Sequence, residues 1–473
     1  MTTYRDPATL YRSATTYRGT TAVVGTGLPT DATEPTDTRW FTVDGDSVYP
    51  SFPDVRIALA FGISPFDSQI ATTPGIWTDI THHVHAPTGV RISRGRSTEY
   101  DGPQPGECTF TIRDLDRSFD PLNGDSIYTG HLTPRTPVRV TATYDGIDYQ
   151  LFTGFVEGFP QNYDVADRVT MVDVVAHDML SLIAGARWLP ARPAIADDQM
   201  LGITDYYNRL SGTVPELDEI RSGARVSELL DVLGVPSVMV DVDDGQTVLR
   251  GGPVSEDSIY AHLANIVATE LGTIYVKGDG TIRYGERTYL AEEPAALWLD
   301  SEGWAIAYQS LTLDPFALQD MKNEVTRGNG IFDPVTAKNT VSATTYGTLS
   351  DERTDLLFAS PGDAKDQAQY LVSMYADPRP RIRTMSVKPQ RWPRYLWPGV
   401  LGWDLTERFV VGRIPLGVGA PFVQTVGVAR IEHEFTSTDW TTTYTLIQPD
   451  TSPYARCDSE VTGRADDGNV AAY

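Results

Sequence analysis

The chain has 473 residues, with 38 Lys and Arg against 63 Asp and Glu for a formal net charge of −25; this excludes a protein built to grip phosphate backbones, which needs clustered cations. Hydrophobic residues make up 41% and charged residues 21%, enough apolar side chain for real cores, and at roughly 100–200 residues per domain the chain should hold two to four domains. Gly 40 and Pro 32 favour turns and strands over long helices, while two cysteines, Cys108 and Cys457, are too few for a disulfide framework and read as free thiols.

Residues 1–53 are dominated by Thr, Gly, Pro, Asp and Tyr without sustained periodicity, which predicts an extended N-terminal arm. Arg and Asp within the first twenty residues break the apolar stretch that a signal peptide needs. Over 54–185 the pattern becomes one of short strands: VRIALAF (55–61), WTDIT (77–81), GVRISRG (89–95) and ECTFTIRD (107–114), separated by Pro, Gly and Asp clusters. In 137–159, Val138, Val140, Ala142 and Tyr144 alternate with polar residues up to Asp145-Gly146, a dipeptide suited to a two-residue hairpin turn. The segment 168–185 then reads as a strand running into a short apolar helix.

Residues 186–320 carry more helix. Segments 199–210 and 225–234 read as short helices, the second ending on Gly234 before Pro236. In 257–272, Ile259, Leu263, Ile266, Val267 and Leu271 share one helical face, with Asp257 as N-cap and Gly272 as C′ residue. A hairpin around Gly278-Asp279-Gly280 follows, so the unit is an α+β insertion. From 321 to 450 strands return, at 381–388, 407–414, 428–435 and 440–447, interrupted by one helix over 360–378. Its signals are Ser360 as N-cap, Pro361 at N1, Asp363 at the capping-box position and Pro378 as a stop, with a buried stripe of Ala364, Ala368, Leu371, Val372 and Tyr375. Residues 451–473 read as a flexible tail. The longest uncharged run, Ile414 to Ala429, is broken by Pro415 and Pro421 and is too short for a membrane span. The predicted class is α+β, mostly β.

Three clusters invite a chemical reading. His82, His83 and His85 are the one histidine cluster; on a strand His83 and His85 would share a face as zinc ligands must, but no third ligand is spaced to complete a site. Asp241, Asp243 and Asp244 before Gly245 resemble half a calcium loop without its alternation or its closing Glu, and read as turn aspartates. The acidic stretch DLDRSFDPLNGD (114–125) places Arg117 and Phe119 where ligands or glycine belong. No nucleophile elbow, zinc-protease helix, Walker loop or Rossmann pattern occurs, and GTGLPT (25–30) lacks the third glycine. No catalytic, cofactor-binding or metal residues are therefore assigned, and no cofactor is expected. A glycosidase, needing only two carboxylates across a cleft, stays open as an alternative, as does a carbohydrate-binding adhesin using its aromatic residues.

The ordered set WTDIT, GVRISRGR with Arg94 and Arg96 around Gly95, CTFTIRDLD, FDPLNGDSIYTGHLTPRTPVRV and YQLFTGFVEGF resembles the minor tail proteins of long, non-contractile-tailed bacteriophages, especially those infecting actinobacteria. The helix-hairpin IYAHLANIVATELGTIYVKGDGTIRYGER, the later DQAQYLVSMYADPRPRIRTMSVKP and the closing VARIEHEFTSTDWTTTYTLI resemble the middle and end of baseplate (tail-tip) hub proteins. The resemblance implies two barrel-like hub domains with an inserted helix-plus-hairpin domain, and a non-enzymatic structural role as a ring-forming hub, a trimer in related hubs. It also implies partners: further copies of itself, a distal tail protein, a tape measure protein and other minor tail proteins, with host-envelope contact at the tip. The implied place is the virion tail tip, after assembly in the host cytoplasm. A hexameric distal tail protein is the alternative within that class.

Overall fold

The structure, a computed structural model, describes residues 52–97, 101–163, 170–186, 216–253, 258–287, 295–299, 308–314, 318–413 and 422–448, with two short paired segments at 454–455 and 470–471. The expected arm, the helix at 199–210, Asp257, Cys457 and most of the expected tail lie outside the described residues.

Most strands belong to one 14-stranded sheet. In chain order its members are β1 (Asp54–Leu59), β2 (Thr78–Asp79), β3 (Val90–Gly95), β4 (Glu107–Asp114), β5 (Pro137–Tyr144), β6 (Ile147–Val156), β7 (Gln161–Tyr163) and β8 (Thr170–His177). The hairpin unit supplies three strands of a separate small sheet, β9 (Val240–Val242), β10 (Thr273–Val276) and β11 (Ile282–Gly285). The large sheet resumes with β12 (Ala295–Leu299) and β13 (Ser310–Asp314). A second small sheet holds β14 (Glu324–Arg327), β15 (Val335–Lys338) and β16 (Ser350–Arg353). The large sheet is completed by β17 (Arg381–Val387), β18 (Arg408–Arg413), β19 (Phe422–Phe435) and β20 (Trp440–Ile447). Its order is β13-β17-β20-β19-β3-β4-β8-β6-β5-β1-β2, with β18 and β12 branching from β19 and β7 pairing β8. The two strand-rich zones meet where β3 pairs antiparallel with β19, from Val90 opposite Phe435 to Gly95 opposite Arg430. Among the described residues the sheet runs through both zones without closing on itself. The protein is thus α+β and mostly β.

Local chemistry accounts for the best-formed elements. β5 buries Val138, Val140, Ala142 and Tyr144 in alternation, and Asp145 and Gly146 take the positive φ values of 51° and 78° that a two-residue hairpin needs. Helix α1 (Gln69–Thr72) is a single turn. Helix α2 (Met179–Gly185) starts on Asp178, whose side chain accepts from Leu180 N. Helix α3 spans Ser222–Val232, three residues earlier than its apolar pattern begins, and Gly234 ends it at φ 76°. Helix α4 (Ile259–Glu270) is capped by Ser258, and its left-handed C-terminal residue is Leu271 at φ 57°, one position before the expected glycine.

Two helices beyond Met321 add to the single one expected: α5 (Thr340–Tyr346) and, after the foreseen α6 (Pro361–Tyr375), α7 (Pro393–Gly402). Pro398 inside α7 disguises it in the sequence, yet the helix buries Leu396, Trp397, Val400 and Leu401. The WTDIT segment is also reinterpreted: only Thr78–Asp79 is strand, and Thr81–His83 form a 3-10 turn.

Three large cores result. The first joins β1, β3–β6 and β8 to Trp397 and Leu401 of α7 and to Phe435 and Trp440 of β19 and β20. The second packs α3, α4 and the hairpin against Met179, Leu180 and Ile183 of α2, Ile70 of α1 and Phe155 of β6. The third lies under β17–β20 and takes in Tyr275 of β10.

Candidate functional site

The place where all three zones of the chain meet lies around Arg94 and Gly95 of β3. Gly95 sits at φ 98°, and a Cβ there would come within 2.1 Å of the Ala429 carbonyl, so the glycine lets β3 press against the irregular register of β19 between Val428 and Arg430. Arg94 is buried; its Nη1 donates to Asp404 Oδ1 at 2.7 Å and to the Val276 carbonyl of β10 at 3.2 Å. Tyr275 Oη donates to the Leu405 carbonyl at 3.1 Å. The adjacent Asp178 accepts from Gly106 N at 2.6 Å and Leu180 N at 3.0 Å. Burial pushes its carboxyl up to about 7, against the pull of these N–H groups and of Arg94. A cavity at this junction, bordered by Gly95, Tyr275, Thr406 and Ala429, has a volume of about 20 Å³, room for about one water and far below a substrate pocket.

A second buried cluster fixes the hairpin unit. Glu270, fully buried at the end of α4, accepts from Ser222 Oγ at 2.9 Å, Thr247 N at 2.8 Å and Arg287 Nε at 3.1 Å. Burial raises its carboxyl, but Arg287 and these hydrogen bonds outweigh burial and hold it below the ordinary range. Both clusters commit their carboxylates to cations and backbone N–H groups, which positions elements rather than readying an acid or base for substrate.

The sequence-level candidates resolve as follows. His82 and His83 lie on the 3-10 turn, not on a strand; their rings are 4.0 Å apart, and His83 meets Phe119 edge-on at 5.0 Å. His85 Nδ1 lies 2.7 Å from Thr88 Oγ1. Among the described residues no three His, Cys, Asp or Glu side chains converge as metal ligands. Asp241 and Asp243 bind Lys277 and Arg283, at 2.6 Å and 2.7 Å for the shortest contacts, and so tie β9 to its hairpin. The 114–125 stretch is a self-bonded loop in which Asp114 accepts from Phe119 N, Asp120 from Leu122 N and Arg117, and Asp116 from Ser118 N. Arg94 and Gly95 were singled out in the sequence as a pattern, but their partners Asp404, Val276 and Ala429 are remote along the chain and carry no local signal. Asp178, not singled out from the sequence, does carry a local signal, an N-cap residue type directly before the apolar helix α2. No described helix is long and apolar enough to cross a membrane.

No family model and no curated protein matches the chain. Solved structures do. A tail protein from Neisseria meningitidis superposes with a TM-score of 0.51 at 11% identity, covering 84% of this chain and 97% of that one. A 43 kDa prophage tail protein from Shewanella oneidensis gives 0.49 at 12% identity, covering 84% and 98%, and a prophage tail protein from Listeria monocytogenes gives 0.43 at 10%, covering 84% and 95%. The likeness to the Neisseria protein spans nearly the whole of that molecule, and the chain therefore has the fold of a known tail protein.

Proposed function

We propose that this chain is a non-enzymatic structural component of a phage tail tip, a ring-forming hub that links the tail tube to receptor-binding parts. The observation that carries the reading is the shared fold: 84% of this chain and 97% of the Neisseria tail protein superpose. The sheet, open among the described residues, supports it, because unpaired strand edges call for partners and rotational symmetry turns one such interface into a ring. So does the junction at Arg94, whose charged groups hold three zones in fixed relation instead of facing a cleft.

On this reading residues 1–53 form the arm, 54–185 and 321–450 the two hub units, 186–320 the insertion and 451–473 a tail. Partners are further copies in a trimer, a distal tail protein, a tape measure protein and other minor tail proteins of a siphophage of actinobacteria, within the virion tail tip. Electron microscopy of the purified chain, alone and with its co-expressed neighbours, provides the test. Threefold rings are expected; sixfold rings would transfer the chain to the distal tail class, and a monomer that consumes cell-wall polysaccharide would overturn the reading.

A further inference from the structure

We propose that Asn123, in the loop between β4 and β5, is a site of spontaneous covalent modification: its side chain closes on the Gly124 nitrogen, and hydrolysis of the resulting succinimide leaves an isoaspartate that unfastens the loop. The chain holds two Asn-Gly pairs, Asn123-Gly124 and Asn329-Gly330. Glycine, lacking a Cβ, leaves its backbone nitrogen open to the preceding side chain and free to turn toward it. At both pairs the Asn oxygen is polarised. Asn123 Oδ1 accepts from Asp125 N at 3.2 Å, and Asn329 Oδ1 from Ile331 N at 2.9 Å and Phe332 N at 3.1 Å. A side-chain oxygen bonded to the second residue along the chain folds its Cγ back toward the intervening nitrogen, and the same N–H donors can hold the oxyanion that forms when that nitrogen attacks.

Access separates the two pairs. Asn329 is 6% exposed, and its Nδ2 donates to the Phe358 carbonyl in the interior at 2.9 Å, so solvent base and water are kept from its carbonyl carbon. Asn123 is only half-buried, and both of its side-chain hydrogen bonds lie at the surface. Gly124 is exposed, its N–H has no hydrogen-bond partner among the described residues, and a Cβ placed on it meets nothing within 4 Å. The ring therefore has room to form, and water has room to open it.

Water is the only co-reactant. Solvent base takes the Gly124 proton as its nitrogen bonds to Asn123 Cγ; the Cγ–Nδ2 bond then breaks, and Nδ2 gains a proton and leaves as ammonia. Water reopens the ring either at Cγ, giving aspartate, or at the main-chain carbonyl carbon, giving isoaspartate with the backbone running through Cγ. Either product removes a fastener. Asn123 Nδ2 donates to the Arg117 carbonyl at 2.9 Å, and a carboxylate has no proton to donate. Isoaspartate also adds a carbon to the main chain inside a turn closed by Asn123 N on the Asp120 carbonyl at 3.0 Å and by Ser126 N on the Asn123 carbonyl at 3.2 Å.

The test incubates the full-length chain at pH 8 and 37 °C. Peptide mass mapping with electron-transfer fragmentation is expected to find the amide-to-acid mass gain at Asn123, with isoaspartate in excess over aspartate, and Asn329 unchanged until the chain is unfolded in urea. Gly124 is not at a positive φ and has open space around it, so Gly124→Ala should slow the conversion roughly tenfold with an unchanged circular dichroism spectrum. Hydrogen exchange over 115–129 should quicken in the converted chain while β4 and β5 keep their protection. Conversion of Asn329 as fast as Asn123 in the folded chain, conversion of Asn123 only after unfolding, indifference to Gly124→Ala, or unchanged exchange in the converted loop would overturn the proposal. None of these outcomes depends on the ring count, which tests the tail-hub reading separately.

Discussion

His433 and Glu407 are both pushed out of their ordinary titration ranges by burial, in opposite senses for stability. His433, on β19, is buried with its Nδ1 3.0 Å from Thr442 Oγ1; burial, with Arg94 nearby, pulls its pKa down to about 3. In the unfolded chain the imidazole titrates near 6.5, so between pH 6.5 and about 3 the unfolded state binds a proton that the folded state refuses. Stability is lost as pH falls through that window, by up to ~1.4 kcal/mol per pH unit. His433→Gln should flatten the acid limb of the denaturation midpoint between pH 6 and 4; an unchanged slope would refute the assignment. Glu407 is the converse: burial raises its carboxyl to about 8, and its Oε2 has no hydrogen-bond partner among the described residues. The folded state then holds a proton that the unfolded state releases above pH 4.5, so stability declines as pH rises from 4.5 to about 8. Glu407→Gln is expected to remove that decline and to make the protein more stable than wild type at pH 8, measured by urea denaturation at pH 5 and pH 8.

Among the elements, α6 and the β10–β11 hairpin show what sequence reveals and what it hides. Ser360 Oγ accepts from Asp363 N at 3.2 Å, the N-cap bond read from the sequence, while Asp363 Oδ2 accepts from the Ser360 hydroxyl at 3.0 Å instead of closing the reciprocal half of a capping box on the backbone. Ser360→Ala should cost about 1 kcal/mol in the denaturation midpoint. The hairpin turn was equally legible, but its docking was not. A Cβ on Gly278 would fall 1.9 Å from the Gln150 carbonyl of β6, and Thr153 Oγ1 donates to the Gly278 carbonyl at 3.0 Å. Gly278→Ala is therefore expected to destabilise by about 1–3 kcal/mol, the cost of forced overpacking, whereas the same change at exposed Gly124, where a Cβ meets nothing within 4 Å, should do much less. Elements governed by neighbours in sequence were legible: the β5–β6 hairpin, the stripe of α6, the strand into α2. The Arg94–Asp404 pair joins residues 310 positions apart, and α7 is helical because Trp397 fills a core built from other strands, an effect no local pattern encodes.

Across the whole molecule, the sheet makes the zones interdependent. The first core draws Trp397, Phe435 and Trp440 from the C-terminal zone; the tryptophans meet edge-on at 5.0 Å, and Phe435 stacks on Trp440 at 4.2 Å. Each such aromatic buries 150–250 Å², worth about 4–6 kcal/mol at ~25 cal/mol per Å² as an upper estimate. Three of them rival the roughly 5–15 kcal/mol net stability of an ordinary domain. A chain limited to residues 52–186 would lose all three together with β19, the partner of β3. It would also expose Tyr144 and Phe152, which are buried in the intact protein. We expect that fragment to bind a hydrophobic dye and to unfold without a cooperative transition, while the full chain unfolds with one transition followed equally by tryptophan fluorescence and far-ultraviolet circular dichroism. A sharp two-state transition in the fragment, at the midpoint of the full chain, would show that the C-terminal aromatics decorate the first core without sustaining it. Interdependence of this kind would serve the hub role proposed above: load applied at one zone is carried to the others through hydrogen-bonded strands and a shared interior instead of through a flexible linker.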